Sequence, residues 1–133
     1  MDGADDRLLA VVREATGDAL RDLWLFGEDG ERAVYVRDDV AEALEGVDTD
    51  PYIDNERYGY ITRATYEDLT YASYEYTVRG FDAFVTFRTF VGGVGVLVSV
   101  DAGTDFDAGA LHASLSDADV DLAAALSLDG EAS

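Results

Sequence analysis

The sequence predicts an α+β fold: a five-stranded, mostly antiparallel sheet with N-terminal, central and C-terminal helices, in the order α-β-β-α-β-β-β-α. Three observations carry that expectation. Apolar residues recur at helical spacing near the N-terminus, the stretches around 20–36 and 74–101 alternate strand-forming residues with turn residues, and the length is that of one domain. With 133 residues, 48% hydrophobic and 11% aromatic, the chain can bury a core without a disulfide or metal. One domain over 1–133 is expected, ordered over about 5–128.

Leu8, Leu9, Val12 and Ala15 give the first helix an apolar face, and Gly17 supplies its stop. Residues 20–26 and 33–36, joined through Glu28-Asp29-Gly30, read as a β-hairpin. Asp39 and Glu42 have capping-box spacing with Asp38 adding charge, so a short helix should run through Leu44 and end at Gly46. Asp50 before Pro51, the only proline, fits the N-cap and first position of another helix. Tyr52, Tyr58, Tyr60, Tyr66 and Tyr71 show no clean period. The central helix is therefore expected in two pieces, with a second start near Thr65 and Asp68 at its third position.

Tyr74, Tyr76 and Val78 alternate with Glu75, Thr77 and Arg79, as in a half-buried strand. Gly80-Phe81-Asp82 turns the chain into 83–91, where Phe84, Thr86, Arg88 and Phe90 share one face and Val85, Phe87 and Thr89 the other. Gly92-Gly93 makes the next turn, and 94–101 completes a three-stranded meander. Thr104 and Asp107 repeat the capping-box pattern before a helix expected to bury Phe106, Ala110 and Leu111. Residues 117–128 suit one more amphipathic helix.

The formal charge is −20, from 9 basic and 29 acidic residues. Such a charge works against nucleic acid and anionic membrane as partners. All the basic residues are Arg; Lys, Gln and Cys are absent, and Asp outnumbers Glu 20 to 9. That is the composition of a chain soluble in molar salt, where the Debye length is ~3 Å. We therefore expect an extreme halophile, and unfolding as ionic strength falls and the self-repulsion is unscreened. The absence of Cys excludes disulfides, thiol catalysis and thiolate metal sites. The N-terminus lacks the basic and apolar regions of a signal peptide, and the apolar run 91–100 is too short to span a bilayer, so a cytoplasmic location is expected.

Four blocks, Asp18-Ala19-Leu20-Arg21, Tyr35-Val36-Arg37-Asp38-Asp39-Val40, Tyr74-Glu75-Tyr76-Thr77-Val78-Arg79-Gly80-Phe81 and Gly95-Val96-Leu97-Val98-Ser99-Val100-Asp101, resemble in content and order a family of short haloarchaeal proteins of unknown function. The likeness covers roughly 5–115 and implies one intact domain, with no catalytic residues to carry over. The order of elements is similar to that of roadblock/longin and, more loosely, profilin-like domains, which implies dimerisation through helices or sheet edges, or a held regulatory ligand.

Several patterns invite chemistry and are better read as structure. Asp117, Asp119 and Asp121 open like a calcium loop, but Leu122 stands where the turn needs Gly and Leu128 where it needs Glu. His112, the only histidine, has no nucleophile motif and reads as a helix-surface residue. Gly92-Gly93-Val94-Gly95 leads into a strand and lacks Lys, unlike a phosphate loop. Arg79 and Arg88 stay charged at any pH and sit on strands among aromatics, so they can hold an anion or pair with local acids. Tyr60, Tyr66, Tyr74 and Tyr76 belong to a run of seven tyrosines, a residue favoured at interfaces and pockets.

These six residues are the candidate ligand or partner site; no catalytic residue, metal or cofactor is expected. The leading expectation is a non-enzymatic interaction or regulatory module, as a homodimer or with a protein partner. The alternative is a sensor for a small anionic ligand, with a Tyr- and Arg-lined pocket between the sheet and 51–72. An enzyme working through paired carboxylates ranks last, because no pair stands out from so acidic a background.

Overall fold

A computed structural model describes residues 3–118 and 120–131. Its elements are α1 (Gly3–Thr16), β1 (Leu20–Phe26), β2 (Glu31–Val36), α2 (Asp38–Ala43), α3 (Asp50–Arg57), α4 (Gly59–Tyr66), β3 (Tyr76–Gly80), β4 (Phe84–Val91), β5 (Val94–Asp101), α5 (Ala108–Asp117) and α6 (Leu122–Glu131). The five strands form one sheet in the order β2-β1-β5-β4-β3. Every neighbouring pair is antiparallel, so the sheet is antiparallel throughout.

Alternation along the strands gives the sheet two apolar faces. One carries Leu20, Leu23, Leu25, Phe87, Val96, Val98 and Val100, which pack against Leu8 and Val12 of α1, Leu111 and Leu115 of α5, and Leu122 and Ala125 of α6. The other carries Trp24, Phe26, Phe84, Phe90 and Leu97 beneath the arm made by α2, α3 and α4. Here Phe26 lies opposite Gly95 in the strand register, and its ring fills the place a Gly95 side chain would take. Tyr60 of α4 closes over Phe26 and Phe90, with ring centroids 6.1 and 4.6 Å away. Gly92 and Gly93 turn β4 into β5 with φ of +58° and +85°, the left-handed conformation that a two-residue hairpin turn requires.

A bulge in β1 has the largest local consequence. Leu20 pairs with Val100 and Asp22 with Ser99, so Arg21 is an extra residue. Strict alternation from Leu20 would put Asp22 on the core face and Leu23 on the other. The extra residue reverses this: Leu23 is fully buried in the core, and Asp22 joins Trp24 on the arm side.

Several expected helix boundaries move. The central helices number three, and α4 starts at Gly59 rather than near Thr65, whose hydroxyl instead donates to the Ile61 carbonyl inside the helix. Asp39 does not cap α2; its carboxylate accepts from Arg37 at 2.6 Å. Asp50 is already helical, with Thr49 at the N-cap and the Asp48 carboxylate accepting from the Asp50 N–H. Asp107, not Thr104, caps α5, accepting from the Ala110 N–H at 3.0 Å, because Thr104 is turned back to donate to the Asp101 carbonyl. This register buries Leu111, half-buries Phe106 and leaves Ala110 exposed, against expectation. Asp121 caps α6 through the Ala124 N–H, and Asp119 lies outside the described residues.

Gly95→Ala should lower unfolding stability by about 1–3 kcal/mol, because the methyl displaces the packed Phe26 ring. Urea melts at constant molar KCl measure it.

Candidate functional site

Arg88 projects from β4 to the arm side and is almost fully buried, at 3% exposure. A buried guanidinium needs a charge partner and acceptors. Its Nη1 donates to Glu56 of α3 at 2.9 Å, and its Nη2 donates to the Tyr74 hydroxyl at 2.7 Å and to Thr77 at 2.9 Å. Glu56 is itself buried and also faces the half-exposed Arg79, whose Nε lies 3.4 Å away. Gly59 is the space the guanidinium occupies, since a Cβ there would come within 2.6 Å of it. Tyr74 and Thr77 also bond to each other, and the Tyr66 ring stacks on Tyr74 at 6.0 Å.

Beside this lock lies a cavity of about 580 Å³ between the sheet and α2–α3. Trp24, Phe84 and Leu97 line it from the sheet, Val40, Leu44 and Ile53 from the arm, and Tyr52 and Phe81 at its rim. Its polar groups are Arg21, Asp22 and Ser99 around the β1 bulge, Thr86 and Arg79 from β4 and β3, and Thr49, Asn55 and Glu56 from the arm. Arg21 lies over the Phe84 ring at 5.0 Å and reaches Asp101 at 3.5 Å. Asp101 is held by both Nη atoms of Arg37 at 2.9 Å, and this pairing keeps its carboxyl below the usual carboxylate range. Asp22 accepts from the Ser99 hydroxyl at 2.7 Å. Burial pushes the Asp22 carboxyl above its usual range, against the opposing pull of Ser99 and Arg21.

Of the six residues named from sequence, Arg88, Arg79, Tyr74 and Tyr66 meet around Glu56, while Tyr60 and Tyr76 make their contacts elsewhere. Arg79 lines the cavity, whereas Arg88 is turned into the Glu56 lock. Tyr74 serves that lock, Tyr66 stacks on it, and Tyr60 caps Phe26 and Phe90. Tyr76 is on the opposite sheet face, against Phe87 and His112. His112 is half-buried rather than on the surface, its Nδ1 2.8 Å from the Thr89 hydroxyl. Sequence reasoning missed Asp22, Ser99 and Trp24. The one signal available was the break in alternation between Leu20 and Leu23, which marks a bulge. Among the described residues, no group of three or more His, Asp or Glu side chains is placed to hold a metal, and no helix is long and apolar enough to cross a membrane.

The architecture is a roadblock-like α+β fold. The chain is similar to Myxococcus xanthus MglB, with a TM-score of 0.55, 14% identity, and coverage of 87% of this chain and 90% of that one. It is also similar to a Roadblock/LC7 domain from Streptomyces avermitilis, with a TM-score of 0.46, 15% identity, and coverage of 83% and 86%. Residues 6–118 match the domain of unknown function DUF7522, and the chain belongs to that family. None of the curated proteins matches it.

Two stability measurements probe the site. Arg88→Leu leaves the buried Glu56 with only the half-exposed Arg79 at 3.4 Å and should cost about 3 kcal/mol, much of it recovered in the double variant with Glu56→Leu. Asp22→Asn should act in the opposite direction. The raised carboxyl pKa means the folded state holds the proton more tightly than the unfolded chain, so that stabilisation is present at low pH and lost as pH rises through the folded value. Asn mimics the protonated acid and keeps the Ser99 bond. Its Tm should exceed the parent's at pH 7, and the gap should close as pH falls towards the unfolded value of ~3.9.

Proposed function

We propose that this protein is a non-enzymatic interaction module of a halophilic cytoplasm that pairs with a second copy of itself. The observation that carries the reading is the exposed apolar row Tyr58, Ile61, Tyr66 and Leu69, along and just beyond α4. Tyr58 and Ile61 are 66% and 65% exposed, although the chain has ample acidic residues for its surface. Tyr66 stacks on Tyr74, two residues before β3, so the row runs beside an edge of the sheet. β3 ends the sheet, and among the described residues its outer backbone groups pair with no strand. An antiparallel edge is self-complementary about a two-fold axis, which a second copy satisfies. The charge of −20 opposes such pairing in dilute buffer and is screened in molar salt.

Light scattering after size exclusion in molar KCl should give twice the chain mass over a range of protein concentrations. Ile61→Asp should return the single-chain mass with an unchanged circular dichroism spectrum. A parent that stays monomeric throughout counts against the reading. The solvent part has its own check: ellipticity should fall as KCl is diluted, and full structure in dilute buffer rejects it.

A further inference from the structure

We infer that the cavity between the sheet and α2–α3 binds a small molecule carrying a protonated amine on an apolar, ring-bearing body, with the ammonium on Asp22. None of the exposed row Tyr58, Ile61, Tyr66 and Leu69 lines this cavity.

The charges around the cavity select the ligand. Glu56 is engaged by Arg88 at 2.9 Å and by Arg79 at 3.4 Å. Arg21 is engaged by Asp101 and by the face of Phe84. Asp22 differs: among the described residues its one hydrogen bond is from the Ser99 hydroxyl, and Arg21 acts on it through charge alone. A carboxylate has about four acceptor positions and a hydroxyl supplies one proton, so acceptor capacity remains, and Asp22 lines the cavity. An ammonium supplies up to three donors and the opposite charge.

The backbone is shaped for this placement. The bulge at Arg21 takes Asp22 out of the core face and sets it on the cavity floor beside Ser99, while Leu23 returns to the core. Burial makes the carboxylate costly to hold there, and a Ser99–Asn pair would satisfy the same hydroxyl more cheaply. An acid kept at a local cost to stability is the pattern of a binding group.

The remaining surface fits the body of the ligand. The volume of about 580 Å³ falls within the ~300–1,000 Å³ of small-molecule sites. Trp24, Phe84 and Leu97 offer flat and aliphatic contacts on the floor, with Ile53 opposite. Val47, Tyr52 and Phe81, exposed at 44%, 66% and 50%, stand at the rim, where a bound ring would cover them.

Trp24 is the only tryptophan and lines the cavity, so its emission reports occupancy. The probes are phenethylamine, its neutral counterpart 2-phenylethanol and its acidic counterpart 3-phenylpropionate, titrated at pH 7 in molar KCl. Phenethylamine should give a saturable change, with at least tenfold weaker binding of the other two. Asp22→Asn, folded by circular dichroism, should lose that advantage. Ile61→Asp should keep it, which separates this site from self-pairing. No saturable change with phenethylamine, equal binding of the three probes, preference for the acid, or an advantage that survives Asp22→Asn would each overturn the assignment.

Discussion

The arm side of the sheet is organised by one requirement, that the charge of the Arg88 guanidinium be met away from water, which its two Nη atoms achieve while Nε is left without a partner among the described residues. Its charge needs Glu56, which fixes where α3 lies and which face it turns inward. Its second nitrogen needs Tyr74 and Thr77, which ties the approach to β3 down to the same point. Its bulk takes the space that a side chain at Gly59 would fill, and α4 begins at that glycine. A paired buried charge need not add net stability, but the removal of one partner is expensive. The lock therefore specifies an arrangement more than it strengthens one.

The cavity follows from where the arm is fastened. At its start, Arg37 grips Asp101 with two nitrogens and its own N–H donates to the Arg21 carbonyl. Further along, Glu56 meets Arg88, and Arg57 reaches the β1–β2 turn through the Gly27 and Gly30 carbonyls and Glu31. Between these points Val40 and Ile53 pack inward. The span still stands off the sheet over Trp24 and Leu97. The space lies between these two attachments and is not a defect of packing within one layer.

Much of this was legible in the chain. Two-residue alternation and paired glycines located β3, β4 and β5 almost to the residue, because each strand has one face in a core and one polar or covered face. The first helix and the hairpin were equally plain. The central segment was not, because the contacts that hold it reach Arg88 on β4 and the β1–β2 turn, distant in the chain, instead of local caps. Asp39, Asp50 and Thr104 each have the residue type of a cap, yet each is claimed by another partner or register. The two strand arginines stood out for their charge, but charge alone does not say which is already paired. The importance of Asp22 lay in a bulge, which removes the very periodicity by which strands are read.

The absence of lysine bears on the architecture as well as on the surface. The fastenings of the arm are guanidinium contacts that use several nitrogens at once: Arg37 on Asp39 and Asp101, Arg57 on Asp54, Glu31 and two carbonyls, Arg88 on Glu56, Tyr74 and Thr77. A lysine ammonium is a compact point charge and cannot present a planar fork to such sets. Screening at high ionic strength weakens exposed, separated charges far more than contacts that are buried or bidentate. An acid-rich chain with arginine as its only strong cation can therefore keep its internal attachments in the same salt that neutralises its surface.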